Sequence, residues 1–139
     1  MVVVRMWRRW FGGAGESLDP ARDDLVVVAA SFDDAEACST ALDRASALDR
    51  DADAVLRHHL RLPAAQLDAA CEIAGYDGYQ RAEPVDATEG ELVPLILQRV
   101  QRLDPLSCSQ ERSRMAGLAQ RHDGVADGWD ALQPPRPAP

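Results

Sequence analysis

The chain of 139 residues contains no lysine and no asparagine, so every basic residue apart from three histidines is an arginine. A strongly GC-rich coding sequence, which starves AAR and AAY codons, accounts for both gaps. No function therefore attaches to the arginines as a class. Aromatic side chains are scarce at 5%, and the core must be built mainly of Ala, Leu and Val. No apolar run approaches the roughly 20 residues of a membrane-crossing helix, and mean hydropathy is −0.29. Only three cysteines occur, Cys38, Cys71 and Cys108, odd in number and far apart. That spacing matches neither a disulfide framework nor a zinc site. Each sits among small residues in a helix-like segment and reads as a buried small hydrophobe, consistent with a reducing, cytoplasmic setting. The opening MVVVRMWRRWFGG has no signal-peptide h-region and no cleavage site. Trp7, Trp10 and Phe11 beside Arg8 and Arg9 suit a membrane surface, but the stretch is short for an amphipathic helix, and Met6 is an alternative start.

Acid is what the chain has in excess. The net charge is −8, unevenly spread: residues 1–13 carry three Arg and no acid, and the remainder carries 12 Arg against 23 Asp and Glu. Such a surface repels phosphate backbones, which argues against direct nucleic-acid binding. It suits solubility, or docking on a basic protein partner.

The length fits one domain. Residues 1–22 read as a basic leader and a glycine-containing linker, 23–132 as a single α+β domain, and 133–139 (QPPRPAP) as a disordered tail. Residues 24–32 are a compact β-branched run, the pattern of a buried strand. Asp33 with Glu36 forms a candidate capping box for a helix over 34–48. Residues 55–62 alternate, with Leu56, His58, Leu60 and Leu62 on one face and Arg57, His59 and Arg61 on the other. Pro63 suits the first turn of a helix over 64–74, with Gly75 as its left-handed cap. Residues 79–85 read as a short strand whose Pro84 suggests an edge. The segment 91–103 fits a helix or a strand buried on both faces. Asp104 and Pro105 open a helix over 105–122, burying Leu106, Cys108 or Ser109, Met115, Leu118 and Ala119. With 91–103 as a strand, residues 55–122 spell β-α-β-β-α, the order of a ferredoxin-like unit. The fold expected is an antiparallel sheet with helices on one face, preceded by an extra strand-helix unit. Leu60, Leu62, Leu67, Cys71, Met115 and Leu118 are expected to be buried together.

Chemistry-bearing patterns are thin. His58 and His59 point to opposite faces of their strand and cannot share an ion; no acid pair completes a metal set. The serines lie outside a nucleophile elbow, Cys108 lacks a neighbouring His, and Gly12-Gly13-Ala14-Gly15 lacks the lysine of a phosphate loop. The expectation is a non-enzyme without cofactor or metal. Two features stand above this background. The row Arg57, His59, Arg61 is either a solvated face or a docking row on an open sheet. Asp127-Gly128-Trp129 places a Trp near a surface turn, as a binding hot spot or as packing against the last helix.

Taken in order, Leu56-Arg57-His58-His59-Leu60, the Ala74-Gly75-Tyr76 turn, Glu89-Gly90-Glu91-Leu92, and Met115 to His122 leading into Ala126-Asp127-Gly128-Trp129 resemble the RraB family, regulators of ribonuclease E activity. The resemblance covers residues 54–131. It implies a ferredoxin-like fold, a strand at 91–103, and a non-catalytic role: binding an RNase E-type endoribonuclease or a degradosome component and damping RNA cleavage. The surface expected to meet such a partner is the one already singled out, Arg57, His59, Arg61, Asp127, Gly128 and Trp129. The strand-helix at 24–48 and the proline-rich tail depart from the family pattern. The alternative expectation is a small ligand-binding domain or minor hydrolase of a ferredoxin-like superfamily.

Overall fold

The computed structural model describes residues 18–82 and 91–136. The readings made for residues 1–17, for Pro84 and the end of its strand, for Glu89-Gly90 and for 137–139 lie outside them. Along the chain the elements are β1 (Val26–Ser31), α1 (Cys38–Asp43), β2 (Ala54–Pro63), α2 (Leu67–Tyr76), β3 (Gln80–Arg81), β4 (Leu92–Gln101), α3 (Pro105–Arg121) and β5 (Val125–Gln133). The strands form one sheet in the order β1-β5-β2-β4-β3, and every neighbouring pair is antiparallel. From β2 onward the order is β-α-β-β-α-β, the ferredoxin-like arrangement. The unit β1-α1 adds a fifth strand beyond β5.

The alternation of residues 55–62 dictates the sheet's two faces. Leu56, His58, Leu60 and Leu62 are all buried, whereas Arg57, His59 and Arg61 keep partial exposure. The helices cover the first face over two packed clusters. One joins Leu56, Trp129 and Ala131 to Cys38, Leu42 and Cys108. The other joins Leu60, Leu62, Leu95 and Leu97 to Met115 and Leu118, with Leu67 and Cys71 partly buried against it. The six residues expected to share a core thus do so, two of them at its margin.

Residues 92–101 are a strand, as the resemblance implied, but buried on one face only: Leu95 and Leu97 are sealed while Pro94 and Ile96 are not. Pro94 is tolerated because β3, as described, pairs only near Leu97 and Gln98. Asp104 caps α3 as read, accepting a hydrogen bond from the Ser107 backbone N–H at 2.8 Å, with Pro105 at the first helical position. Leu106, expected inside, is 69% exposed.

Four readings are corrected. The helix expected over 34–48 shrinks to Cys38–Asp43, because Asp33 turns its carboxylate onto the Ala35 N–H in a local turn. Glu36 is pulled away to Arg44 (2.7 Å) instead of capping. Pro63 ends β2, and the following helix is entered through a 3-10 turn at Ala64–Gln66. Gly75 lies within α2; the left-handed residue is Gly78, at φ 84°. Finally, the segment around Trp129 is a central strand, and Gln133 is no tail residue. Its buried side chain accepts from the Asp49 N–H at 2.9 Å and donates to the Asp49 carbonyl at 2.8 Å, tying β5 to the loop before β2. Among the described residues, no helix is long and apolar enough to cross a membrane.

Candidate functional site

Because β5 lies beside β2, the side chains of the two strands meet on the uncovered face of the sheet. Arg57 sits opposite Asp130, and His59 opposite Gly128. Arg57 grips Asp130 with two parallel hydrogen bonds, Nε to Oδ1 at 2.7 Å and Nη2 to Oδ2 at 2.6 Å. The paired fork geometry makes this stronger than a single charged contact. Burial alone would raise the Asp130 pKa, but the Arg57 hydrogen bonds and the nearby His59 outweigh it and hold the carboxyl below its usual value. His59 Nε2 lies 3.1 Å from Asp130 Oδ2 without forming a hydrogen bond. A bulge between His59 and Leu60 changes the register and leaves Asp127 to take Arg61 in a second forked pair, at 2.7 and 2.8 Å.

Gly128 gives this face its shape. A Cβ there would stand 2.5 Å from Phe32 Cδ1 and from the Ser31 carbonyl, so only glycine lets the end of β1 close over β5. Phe32 then reaches His59 edge-on, with ring centroids 5.1 Å apart, while staying 55% exposed itself. An open groove of about 550 Å³ adjoins it, lined by Phe32, Asp33, Asp34, Arg61, Val125 and Asp127.

The expected docking residues therefore separate. Arg57, His59, Arg61, Asp127 and Gly128 share the uncovered face. Trp129 does not: it is directed to the helix side, 0% exposed, among Leu56, Cys108 and Ala131. Of its two readings, core packing is the one realised, because the register sets Trp129 opposite His58, on the face that the helices cover. Asp130 was not anticipated, although it organises the row.

A second polar cluster was also missed, on the helix-covered side. His58, Tyr79 and Glu111 are each less than 7% exposed. Tyr79 donates its hydroxyl proton to Glu111 Oε1 at 2.7 Å, and the same hydroxyl lies 3.4 Å from His58 Nε2. Arg99 stacks on the Tyr79 ring, 4.5 Å from its centroid, and reaches Glu111 at 3.1 Å. Arg114 reaches Glu111 at 3.2 Å and Asp77 at 3.1 Å. Burial, with Arg99 nearby, holds the His58 pKa down to about 3, so its ring is neutral at neutral pH. Burial and the Glu111 contact push the Tyr79 hydroxyl well above its usual range. The residue types resemble catalytic machinery. Their near-complete burial and their mutual hydrogen bonds make them a sealed network that ties the turn after α2, together with β4 and α3, onto β2.

Among the described residues, no three His, Cys, Asp or Glu side chains cluster as a metal would require. Compared with protein-family models, curated proteins and solved structures, the chain matches none.

Proposed function

We propose that this chain is a non-catalytic, protein-binding regulator that docks on an RNase E-type endoribonuclease, or a protein associated with it, and damps RNA cleavage without touching RNA. One observation carries the reading. Two of the sequence runs that resemble the RraB family, His58-His59-Leu60 and Gly128-Trp129, lie about seventy residues apart and are direct partners in neighbouring strands: His58 opposite Trp129, His59 opposite Gly128. Signatures that meet in space act as one unit. On the uncovered side that unit presents Arg57, His59, Arg61, Asp127 and Asp130. The ladder is charge-balanced and rigid, and such a surface gives specificity and register more than raw affinity. The acidic body supports the absence of direct RNA contact.

The test mixes the purified protein with the host's RNase E-type enzyme and a labelled RNA, following cleavage alongside a binding assay. Slower cleavage with a measurable complex is expected. Arg61→Glu, which reverses the most exposed charge of the row, should weaken the complex while leaving the fold intact. No complex at micromolar concentration, with cleavage unchanged, would overturn the reading and favour the ligand-binding alternative.

A further inference from the structure

The outer edge of β1 belongs to neither polar cluster. β1 is the first strand of the sheet and, among the described residues, pairs only with β5. An edge strand presents backbone N–H and C=O groups that another strand can take up, and proteins usually guard such edges with charges, prolines, bulges or extreme shortness. The opposite edge, β3, is two residues long. β1 is six residues, VVVAAS, without charge or proline though with a register shift between Val27 and Ala29, and its Val26 and Val27 are 43% and 53% exposed. One acceptor is already served, since Arg44 donates to the Ala30 carbonyl at 2.6 Å while held by Glu36. That leaves the stretch Val26–Ala29.

Apart from the Arg44–Glu36 pair at Ala30, the charges beside the strand stand at its two ends. Asp23 and Asp24 precede the strand and Asp33 and Asp34 follow it, all exposed, with Arg22 paired to Asp24. This arrangement selects the occupant. A second copy pairing antiparallel about a two-fold axis would bring Asp23-Asp24 of one chain beside Asp33-Asp34 of the other, and like charges opposed across strands are destabilising. A segment with basic ends meets attraction at both.

We infer that the outer edge of β1 accepts, by strand addition, an extended segment of a partner protein that is apolar at its centre and carries arginine or lysine at both ends. This deepens the proposed protein-binding role and rests on it. Main-chain hydrogen bonds supply the affinity, and the flanking aspartates supply orientation and discrimination.

The experiment uses the full chain and three synthetic probes. The first is a peptide of about eight alternating valines and threonines with two arginines at each end, long enough to span the strand. The second replaces the arginines with glutamates. The third is the arginine peptide methylated on alternate backbone nitrogens. Backbone NMR signals of Val26–Ala29 should shift with the first probe. Its affinity should exceed that of the second by about tenfold or more, a gap that closes in high salt. The third should not bind. Asp23→Arg with Asp34→Arg, both on exposed side chains, should reverse the preference between the first two.

Equal binding of the arginine and glutamate probes, undiminished binding of the methylated one, or shifts confined to other strands would overturn the inference. Concentration-dependent shifts at Val26–Ala29 without peptide would instead make the occupant a second copy. Shifts there on replacing Arg5, Arg8 and Arg9 with serine would make it the chain's own leader. Either result also overturns it. Because the probes contain no ribonuclease, peptide binding without ribonuclease binding sinks the functional reading alone. Ribonuclease binding that leaves β1 unmoved sinks the edge alone.

Discussion

His58 and His59 are neighbours in the chain with opposite surroundings. His58 points under the helices, 2% exposed, beside Tyr79 and Arg99, and its pKa is held down to about 3. His59 points to the uncovered face, beside Phe32 and Asp130. The step from one residue to the next crosses the sheet. On one side the polar group is neutral and sealed beside a hydroxyl; on the other it stands partly exposed beside a carboxylate. Trp129 and Asp130 likewise part across the sheet: Trp129 is sealed on the helix side with its indole N–H unpartnered, and Asp130 faces Arg57.

The largest expected effect tests the sealed side. Trp129→Ala removes the bulkiest fully buried side chain and should cost about 3–5 kcal/mol, as large core truncations do. Chemical unfolding measures it. A loss under about 1 kcal/mol would mean that Trp129 is not in the core, and that the two sides differ less than described.

The next test uses pH. The folded His58 pKa of about 3 lies below the unfolded value of about 6.5. On acidification the unfolded state is therefore protonated first. The contribution of the neutral ring is complete above about pH 6.5 and falls away toward pH 3, at up to about 1.4 kcal/mol per unit. Urea midpoints at several pH values should show this decline, and His58→Phe should flatten it. A His59→Phe variant that flattens it equally would erase the distinction between the two rings.

Smaller effects rank the uncovered face. Arg57→Ala strands the nearly buried Asp130 carboxylate and should cost about 1–3 kcal/mol. Arg61→Ala breaks a pair whose side chains are 48% and 35% exposed and should cost under about 1 kcal/mol. Salt should weaken the Arg61 pair more than the Arg57 pair, which a comparison of the two variants at low and high salt measures.

Much of this contrast was legible before any coordinates. The alternation of residues 55–62 assigns each side chain of β2 to its face, and Asp104-Pro105 places the start of α3 to the residue. β5 was illegible for physical reasons. Gly124, Gly128, Asp127 and Asp130 all disfavour strand structure locally, and only their tertiary setting overrides this: Arg57 and Arg61 compensate the acids, and Phe32 fills the space above Gly128. α1 was over-read because helical spacing of apolar residues says nothing of a competing side-chain turn at Asp33. The buried His58, Tyr79, Glu111 and Arg99 network draws on four separate segments, so no motif spacing could announce it.

The placement of β5 between β1 and β2 also sets an order of events in synthesis. Val26 pairs with Gln133, and Val55 with Leu132. When residues 26–63 have left the ribosome, the strand that belongs between them does not yet exist. Each of the two early strands has a bare edge until the last one arrives to join them. The join between β1 and the rest of the sheet is therefore assembled last, through contacts distant in sequence, which slows folding and lengthens the time during which apolar strands stand unpaired. Nascent chains stalled before residue 125 should be good substrates for chaperones, and completion of the final nine-residue strand should release them.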